Sequence, residues 1–264
     1  MTTRRSLPRR SVWLPVTLLS TLAGCGEPVA SPGGAASLSV SFATSASVPT
    51  NASGNAVIVG SSGDTLFVNR VQLVVDEVEL QRAGVTVCPD NIAVSTDVTR
   101  SSDDGGCSRL DLGPMLLDLP LNSNGALRLG VAVPAGLYRE FEFEIDKVST
   151  DGDASASEKA FVAAHPEFRD VSVRVTGSYK GVPFTFVSRL EAEVEYEFEP
   201  ALSIAAGVND NITVAVDLNR WFRNSVGALL VPNSANQSRI EQNIVTSIEA
   251  FGDRNRDGRE DPDR

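Results

Sequence analysis

Phe184-Thr185-Phe186-Val187-Ser188-Arg189-Leu190-Glu191-Ala192-Glu193-Val194-Glu195-Tyr196-Glu197-Phe198 is the stretch that decides the fold class. Its even positions carry Phe, Phe, Ser, Leu, Ala, Val, Tyr and Phe; from Arg189 onward every odd position is charged. Successive side chains of a strand point to opposite faces, so this alternation reads as extended chain with one buried and one acidic face. The pattern recurs in Leu38-Ser39-Val40-Ser41-Phe42 and at Ile212, Val214 and Val216. It also recurs where Phe141, Phe143 and Ile145 alternate with Glu140, Glu142, Glu144 and Asp146, and at Val171, Val173 and Val175. In Val71-Gln72-Leu73-Val74-Val75 the apolar phase then moves to Val78 and Leu80, which predicts a β-bulge at Asp76-Glu77. Tyr179-Lys180-Gly181 reads as a turn. Sheets that bury one face must pack on a second layer, so the expected fold is all-β: an antiparallel β-sandwich.

Helical signals are few. Asn219 to Asn224 reads as a single turn around Trp221 and Phe222. Ile240, Ile244, Ile248 and Phe251 fall on one helical face, which predicts one short C-terminal α-helix ended by Gly252. Ser234 or Asn236 is its expected cap, and Ser234 with Gln237 has capping-box spacing.

The start of the chain has the grammar of an export signal. Arg4, Arg5, Arg9 and Arg10 precede an apolar run from Val12 to Leu22 that is too short to span a bilayer. Leu22-Ala23-Gly24-Cys25 matches a bacterial lipobox, with small residues before the cut and a thiol for the lipid. The alternative is an ordinary secretory signal beside an unrelated cysteine. The expected order is a signal peptide over 1–24, a lipidated Cys25 and flexible tether over 25–37, a β-sandwich over 38–252 and an Asp-rich loop over 253–264. Gly26 after the cysteine favours the outer over the inner membrane as the destination in the cell envelope.

The chain has 23 basic and 34 acidic side chains. Removing the four signal arginines leaves 19 against 34, a formal net charge of −15. That balance argues against nucleic acid and anionic lipid surfaces as partners and leaves divalent or basic partners open. With Cys25 assigned to lipid, Cys88 and Cys107 remain. In an oxidising envelope the default is one disulfide, and the polar sequence between them favours that over a catalytic or metal-binding thiol pair.

Two constellations have chemical content. Glu140, Glu142, Glu144 and Asp146 share one strand face, and Glu191, Glu193, Glu195, Glu197 and Glu199 share another. They read as solvated strand faces, or as a surface for cations or a basic envelope partner. If the two strands are neighbours, like charges repel, with Arg174, Arg189 or Lys180 as candidate neutralisers. The second constellation is Asp253-Arg254-Asn255-Arg256-Asp257-Gly258-Arg259-Glu260-Asp261. Oxygen ligands at alternate positions with Gly at the sixth are the pattern of a calcium loop. The segment resembles the loops of EF-hands, dockerins and type-3 thrombospondin repeats. That resemblance implies Ca²⁺ ligation by Asp253, Asn255, Asp257 and Asp261 side chains and the Arg259 carbonyl. The bidentate glutamate of those loops is replaced by Arg264, and a solvated charged tail is the other reading. Signals of catalysis are nearly absent. His165 is the one histidine, and no nucleophile elbow, phosphate loop or dinucleotide fingerprint occurs.

Val71–Leu80, Gly113–Leu121, Val133–Tyr138, Val216–Phe222 and the Asp-rich end together resemble a family of bacterial lipoproteins built on a domain of unknown function. The resemblance spans roughly residues 65 to 264. It implies a transthyretin-like β-sandwich with a cysteine pair in an early loop, and no activity. The expected function is a lipid-anchored envelope protein with a non-enzymatic binding or structural role, calcium-stabilised. The alternative is a surface polysaccharide-binding module or glycan-active enzyme. Its mark would be exposed aromatics in a concave patch or two carboxylates in a cleft; Trp221 and Tyr138 are the aromatics to examine, and core packing is the expected role of both.

Overall fold

A computed structural model of the chain describes residues 35–45, 49–84, 102–104, 107–121, 127–152 and 154–261. Cys25 and Cys88 lie outside them, so the lipidation and disulfide expectations are not addressed by the fold. Among the described residues twelve strands occur: β1 (Ala35–Thr44), β2 (Ala56–Val59), β3 (Thr65–Arg82), β4 (Ser102–Asp104), β5 (Cys107–Leu119), β6 (Leu127–Pro134), β7 (Gly136–Ile145), β8 (Val173–Tyr179), β9 (Val182–Ser188), β10 (Ala192–Ile204), β11 (Asn209–Val216) and β12 (Ile248–Gly252). The same residues include three α-helices, α1 (Ala156–Ala164), α2 (Leu218–Trp221) and α3 (Gln237–Val245), and a short 3-10 turn at Pro166–Phe168.

The strands form two sheets. The smaller has the order β12-β11-β1-β6. The larger has eight strands along β10-β7-β3-β5-β4, with β2 and β8 also on β3, and β9 on β8. One apolar core takes side chains from both, including Leu38, Phe42 and Val214 of the small sheet and Leu73, Phe143 and Val175 of the large. Phe42 and Phe143 meet edge to face across the layers, 5.7 Å between centroids, a favoured aromatic geometry. The chain is thus the all-β sandwich that period-two patterning predicts. One pair departs from the antiparallel rule: β1 and β11 run parallel, from Ser37 opposite Asn209 to Thr44 opposite Val216. Most of the chain separates these two strands, so no tight turn imposes direction on them.

Local signals explain much of the detail. The pairing of β3 with β5 shifts register between Val75 and Glu77, at the bulge that the phase change predicts. Lys180 (φ 51°) and Gly181 (φ 78°) both take left-handed backbone, which makes the two-residue hairpin turn joining β8 to β9. Val74 breaks the alternation of β3 because both faces are covered there: α1 and the turn after it bring Phe161, Val162 and Phe168 onto the back of the sheet. Ser155 caps α1 in a reciprocal capping box with Glu158.

The helical expectations need correction. α3 ends at Val245 with Ile240 and Ile244 buried, whereas Ile248 and Phe251 belong to β12, paired with β11. Ile248 stands four residues after Ile244 and so extends a helical face by spacing alone; pairing along the edge of β11 puts it in a strand instead, where Phe251, three residues on, falls on the opposite face. Asn236 occupies the cap position of α3 without a side-chain cap bond, and Asn233 turns the chain instead by accepting from the Ala235 and Asn236 amides at 3.1 and 3.2 Å. The fifteen-residue apolar phase is two strands, β9 and β10, broken at Arg189–Glu191. Trp221 and Tyr138 are core residues, both fully buried. Trp221 donates to Ser247 Oγ at 2.7 Å and Tyr138 to the Pro134 carbonyl at 2.7 Å.

Candidate functional site

The two acidic stripes are direct neighbours. In the pairing of β7 with β10, Glu144 faces Glu193, Glu142 faces Glu195 and Glu140 faces Glu197. On the other side of β7, β3 places Glu79 opposite Glu142 and Gln81 opposite Glu140. Alternation puts every one of these side chains on the face away from Phe141, Phe143 and Val194, which are buried. Directly opposed residues have Cβ atoms about 5 Å apart, where like charges destabilise the pair. Arg139 relieves part of this by donating to Gln81 and lying 3.5 Å from Glu140. Lys147 pairs with Glu191, before β10 begins. Neither Arg139 nor Lys147 is among the expected neutralisers, which are placed elsewhere: Lys180 pairs with Asp64 at 3.1 Å, Arg174 is on β8, between β3 and β9, and Arg189 lies in the break between β9 and β10.

The crowding shows in the acidities. Burial first, then the charges of Glu193, Glu79, Glu140 and Glu195, push the Glu142 carboxyl up to about 7. Glu79 is raised by burial and by Glu140 and Glu193. Glu140 is raised by burial and by Glu195, against the lowering effect of Arg139. One oxygen from each of Glu140, Glu195 and Glu197 lies within 4.8 Å of the other two. A single cation can touch all three, which is the way a carboxylate cluster relieves its own repulsion.

The C-terminal segment is an ordered loop on the outer face of the small sheet. Asp253, 1% exposed, continues β12, its amide donating to the Asn211 carbonyl at 2.9 Å. Its carboxylate accepts from Thr213 Oγ1 at 2.7 Å, from the Asp257 amide at 2.9 Å and from the Gly258 amide at 3.0 Å. Behind Thr213 stands a polar chain: Asn211 donates to Thr213 at 3.0 Å and accepts from Ser39 and Ser41, each at 2.7 Å. Asn255 accepts from the Asp257 amide at 2.9 Å and Asp257 from the Arg259 amide at 3.0 Å. Arg256 (φ 60°) and Gly258 (φ 76°) supply the left-handed turns. The side chains of Asp253, Asn255 and Asp257 are thereby drawn into one ring of backbone amides. Asp261 is the exception, since its carboxylate accepts from the Arg254 amide at 2.7 Å. Asp253, Asp257 and Asp261 accordingly do not converge as closely as the glutamate trio. Arg264 lies outside the described residues.

Between this loop and β10 is a cleft of about 550 Å³. β10 and β12 are the edges of their sheets, and the cleft is where the sandwich gapes between them. Tyr196, Phe198, Pro200 and Leu202 line one side; Asp210, Asp253, Arg254, Glu260 and Asp261 are among those lining the other. β10 slips register between Glu197 and Leu202, and the residues of that detour, Phe198, Glu199, Pro200 and Ala201, line the cleft. Tyr196 and Phe198 belong to the opening stretch, and alternation assigns them to the core; Phe198 is buried there and Tyr196 packs partly buried against it, while on the edge strand β10 both also line the cleft. His165 is not among the residues lining this cleft; it ends α1 with its ring 5.0 Å from that of Phe161.

Fold and site together define a β-sandwich domain with an acidic sheet face and an acidic loop beside an open cleft. No family model matches the chain, and no curated protein matches it. Among solved structures, MbnP from Methylosinus trichosporium aligns over 74% of this chain and 83% of its own, with 12% identity and a TM-score of 0.36. A likeness that loose bears on neither ligand nor chemistry.

Proposed function

We propose that this chain is a non-enzymatic binding domain of the bacterial cell envelope, held to a membrane by lipid on Cys25, whose C-terminal loop takes Ca²⁺. The observation that carries the calcium reading is the ring of amide bonds drawing Asp253, Asn255 and Asp257 inward on alternate positions. A hard cation needs several oxygens from a short loop, and this turn chemistry presents them. The Arg259 carbonyl and Asp261 complete the ligand set, Asp261 by exchanging its bond to the Arg254 amide for the metal. Because that exchange and the arginines within the loop both weaken binding, the expected affinity is the extracellular range of about 10⁻⁴ to 10⁻³ M. The glutamate trio is a second cation site on the same reading, favoured by its 4.8 Å spacing, and the wider glutamate face suits a cationic envelope partner. No helix among the described residues is long and apolar enough to cross a membrane.

The test is thermal unfolding of the full chain in detergent, with calcium in excess and then with chelator. A ligand at about a hundred times its dissociation constant stabilises the folded state by about 2.7 kcal/mol. The expected upward shift disappears in Asp257→Ala and persists in Glu195→Gln. A shift lost only in Glu195→Gln moves the metal to the sheet face, and no shift in the parent chain refutes the reading.

A further inference from the structure

We propose that the cleft between β10 and the C-terminal loop binds a small organic cation: an ammonium group joined to an apolar body. The volume of about 550 Å³ is that of a small-molecule site, and such sites pair an apolar wall with a few placed polar groups. The apolar wall is Tyr196, Phe198, Pro200 and Leu202. The ring of Tyr196 is partly exposed and stands 5.3 Å from that of Phe198, nearly edge to face.

The opposite wall decides the sign of the ligand. Among the described residues Arg254 is the one basic side chain lining the cleft, and it is committed inward. Its Nε donates to Asp210 at 2.6 Å and its terminal nitrogen to the Ser203 carbonyl at 3.0 Å. Asp210 in turn accepts from the Ala205 amide at 3.1 Å, and Asp253 is held by the three bonds already described. These groups are the frame of the cleft. Glu199 and Glu260, both exposed, line the cleft as well. Burial and the negative charge of Glu260 and Glu249 raise the Tyr196 phenol, so the field at the ring is negative.

An aromatic face beside carboxylates attracts a cation twice, through the ring quadrupole and through Coulomb's law in a half-dried cleft. A neutral sugar would leave those charges uncompensated as it displaced their water. A bare metal ion would make no use of the apolar wall. An ammonium group on an apolar body uses both walls. The cleft shares Asp253, Asn255 and Asp261 with the proposed calcium ligands of the loop, so the organic cation is titrated with chelator present, where the loop holds no metal.

The experiment is calorimetric titration of the full chain in detergent, with chelator present, near neutral pH. The probes are 2-phenylethylamine, 2-phenylethanol as its neutral counterpart, and glucose, each against a detergent blank. The amine is expected to bind saturably and at least about tenfold more tightly than the alcohol. Glu260→Gln lies in an exposed loop segment and leaves the core intact; it is expected to weaken the amine by about fivefold and the alcohol not at all. Tyr196→Ala is expected to weaken the amine by about tenfold, with its unfolding midpoint measured in parallel. Equal binding of amine and alcohol, saturable binding of glucose instead, an unchanged affinity in Glu260→Gln, or no binding of the amine each overturns the proposal.

Discussion

Replacing Glu142 with Gln is expected to make the protein more stable above neutral pH and to leave it unchanged in acid. Glu142 sits in the row Glu79, Glu142, Glu195 across three adjacent strands. Its carboxyl is raised from 4.5 to about 7, first by burial and then by its glutamate neighbours. The sign follows from proton counting. Between the unfolded and folded values the folded chain holds a proton that the unfolded chain has lost, so stability falls as pH rises through that window. Below about pH 4.5 both states are protonated and the effect vanishes; above about pH 7 it is complete. At about 1.4 kcal/mol per pH unit, the displacement corresponds to roughly 3 kcal/mol for a group sealed from water. Glu142 is partly exposed, and solvent screening reduces this to about 1–2 kcal/mol. The assay is urea unfolding near pH 8 and near pH 4.5, with chelator present so that no divalent cation neutralises the face. Glu142→Gln should gain about 1–2 kcal/mol at the higher pH, and the parent's decline from pH 5 to 7 should flatten. A variant less stable than the parent near pH 8, or a parallel pH profile, would refute the register-based account of the acidic face.

Three further outcomes are expected. Asp253→Ala removes the acceptor of three bonds from a buried position and should cost about 2–4 kcal/mol with chelator present, read by urea unfolding; a loss below about 0.5 kcal/mol would return the segment to a solvated tail. Gly177→Ala should cost at least about 2 kcal/mol, because a Cβ there would come 2.1 Å from the Phe67 carbonyl oxygen and 2.7 Å from the Phe184 ring; a neutral substitution would contradict the packing of β8 on β3. Cys25→Ser should abolish incorporation of labelled fatty acid in a bacterial host, and a variant that still labels removes the lipid from Cys25.

Several features were legible because they are local. Strand alternation, the bulge near Asp76, the hairpin at Lys180-Gly181 and the turn around Trp221 each depend on neighbours a few residues away. The helix expected through Phe251 failed for a reason of the same kind. Ile240 and Ile244 satisfy a helical face, and nothing local says that Ile248 stops belonging to it; pairing with β11 does. The continuous phase from Phe184 to Phe198 hid a break at Arg189–Glu191 because the break conserves parity.

The residues themselves determined that this is an all-β chain, that two strands carry glutamate on one face, and that the end has oxygen-bearing side chains at alternate positions around a glycine. Side-chain periodicity and turn chemistry act over short range, so they can be read from order alone. Only the tertiary structure decided that β7 and β10 pair glutamate against glutamate. It alone buried Asp253 on Thr213 and Asn211, 40 residues or more away, and opened a cleft beside Tyr196. Those outcomes join segments far apart in the chain. They are set by which edges the two sheets leave free once their common apolar core is buried, a global balance that no window of sequence contains.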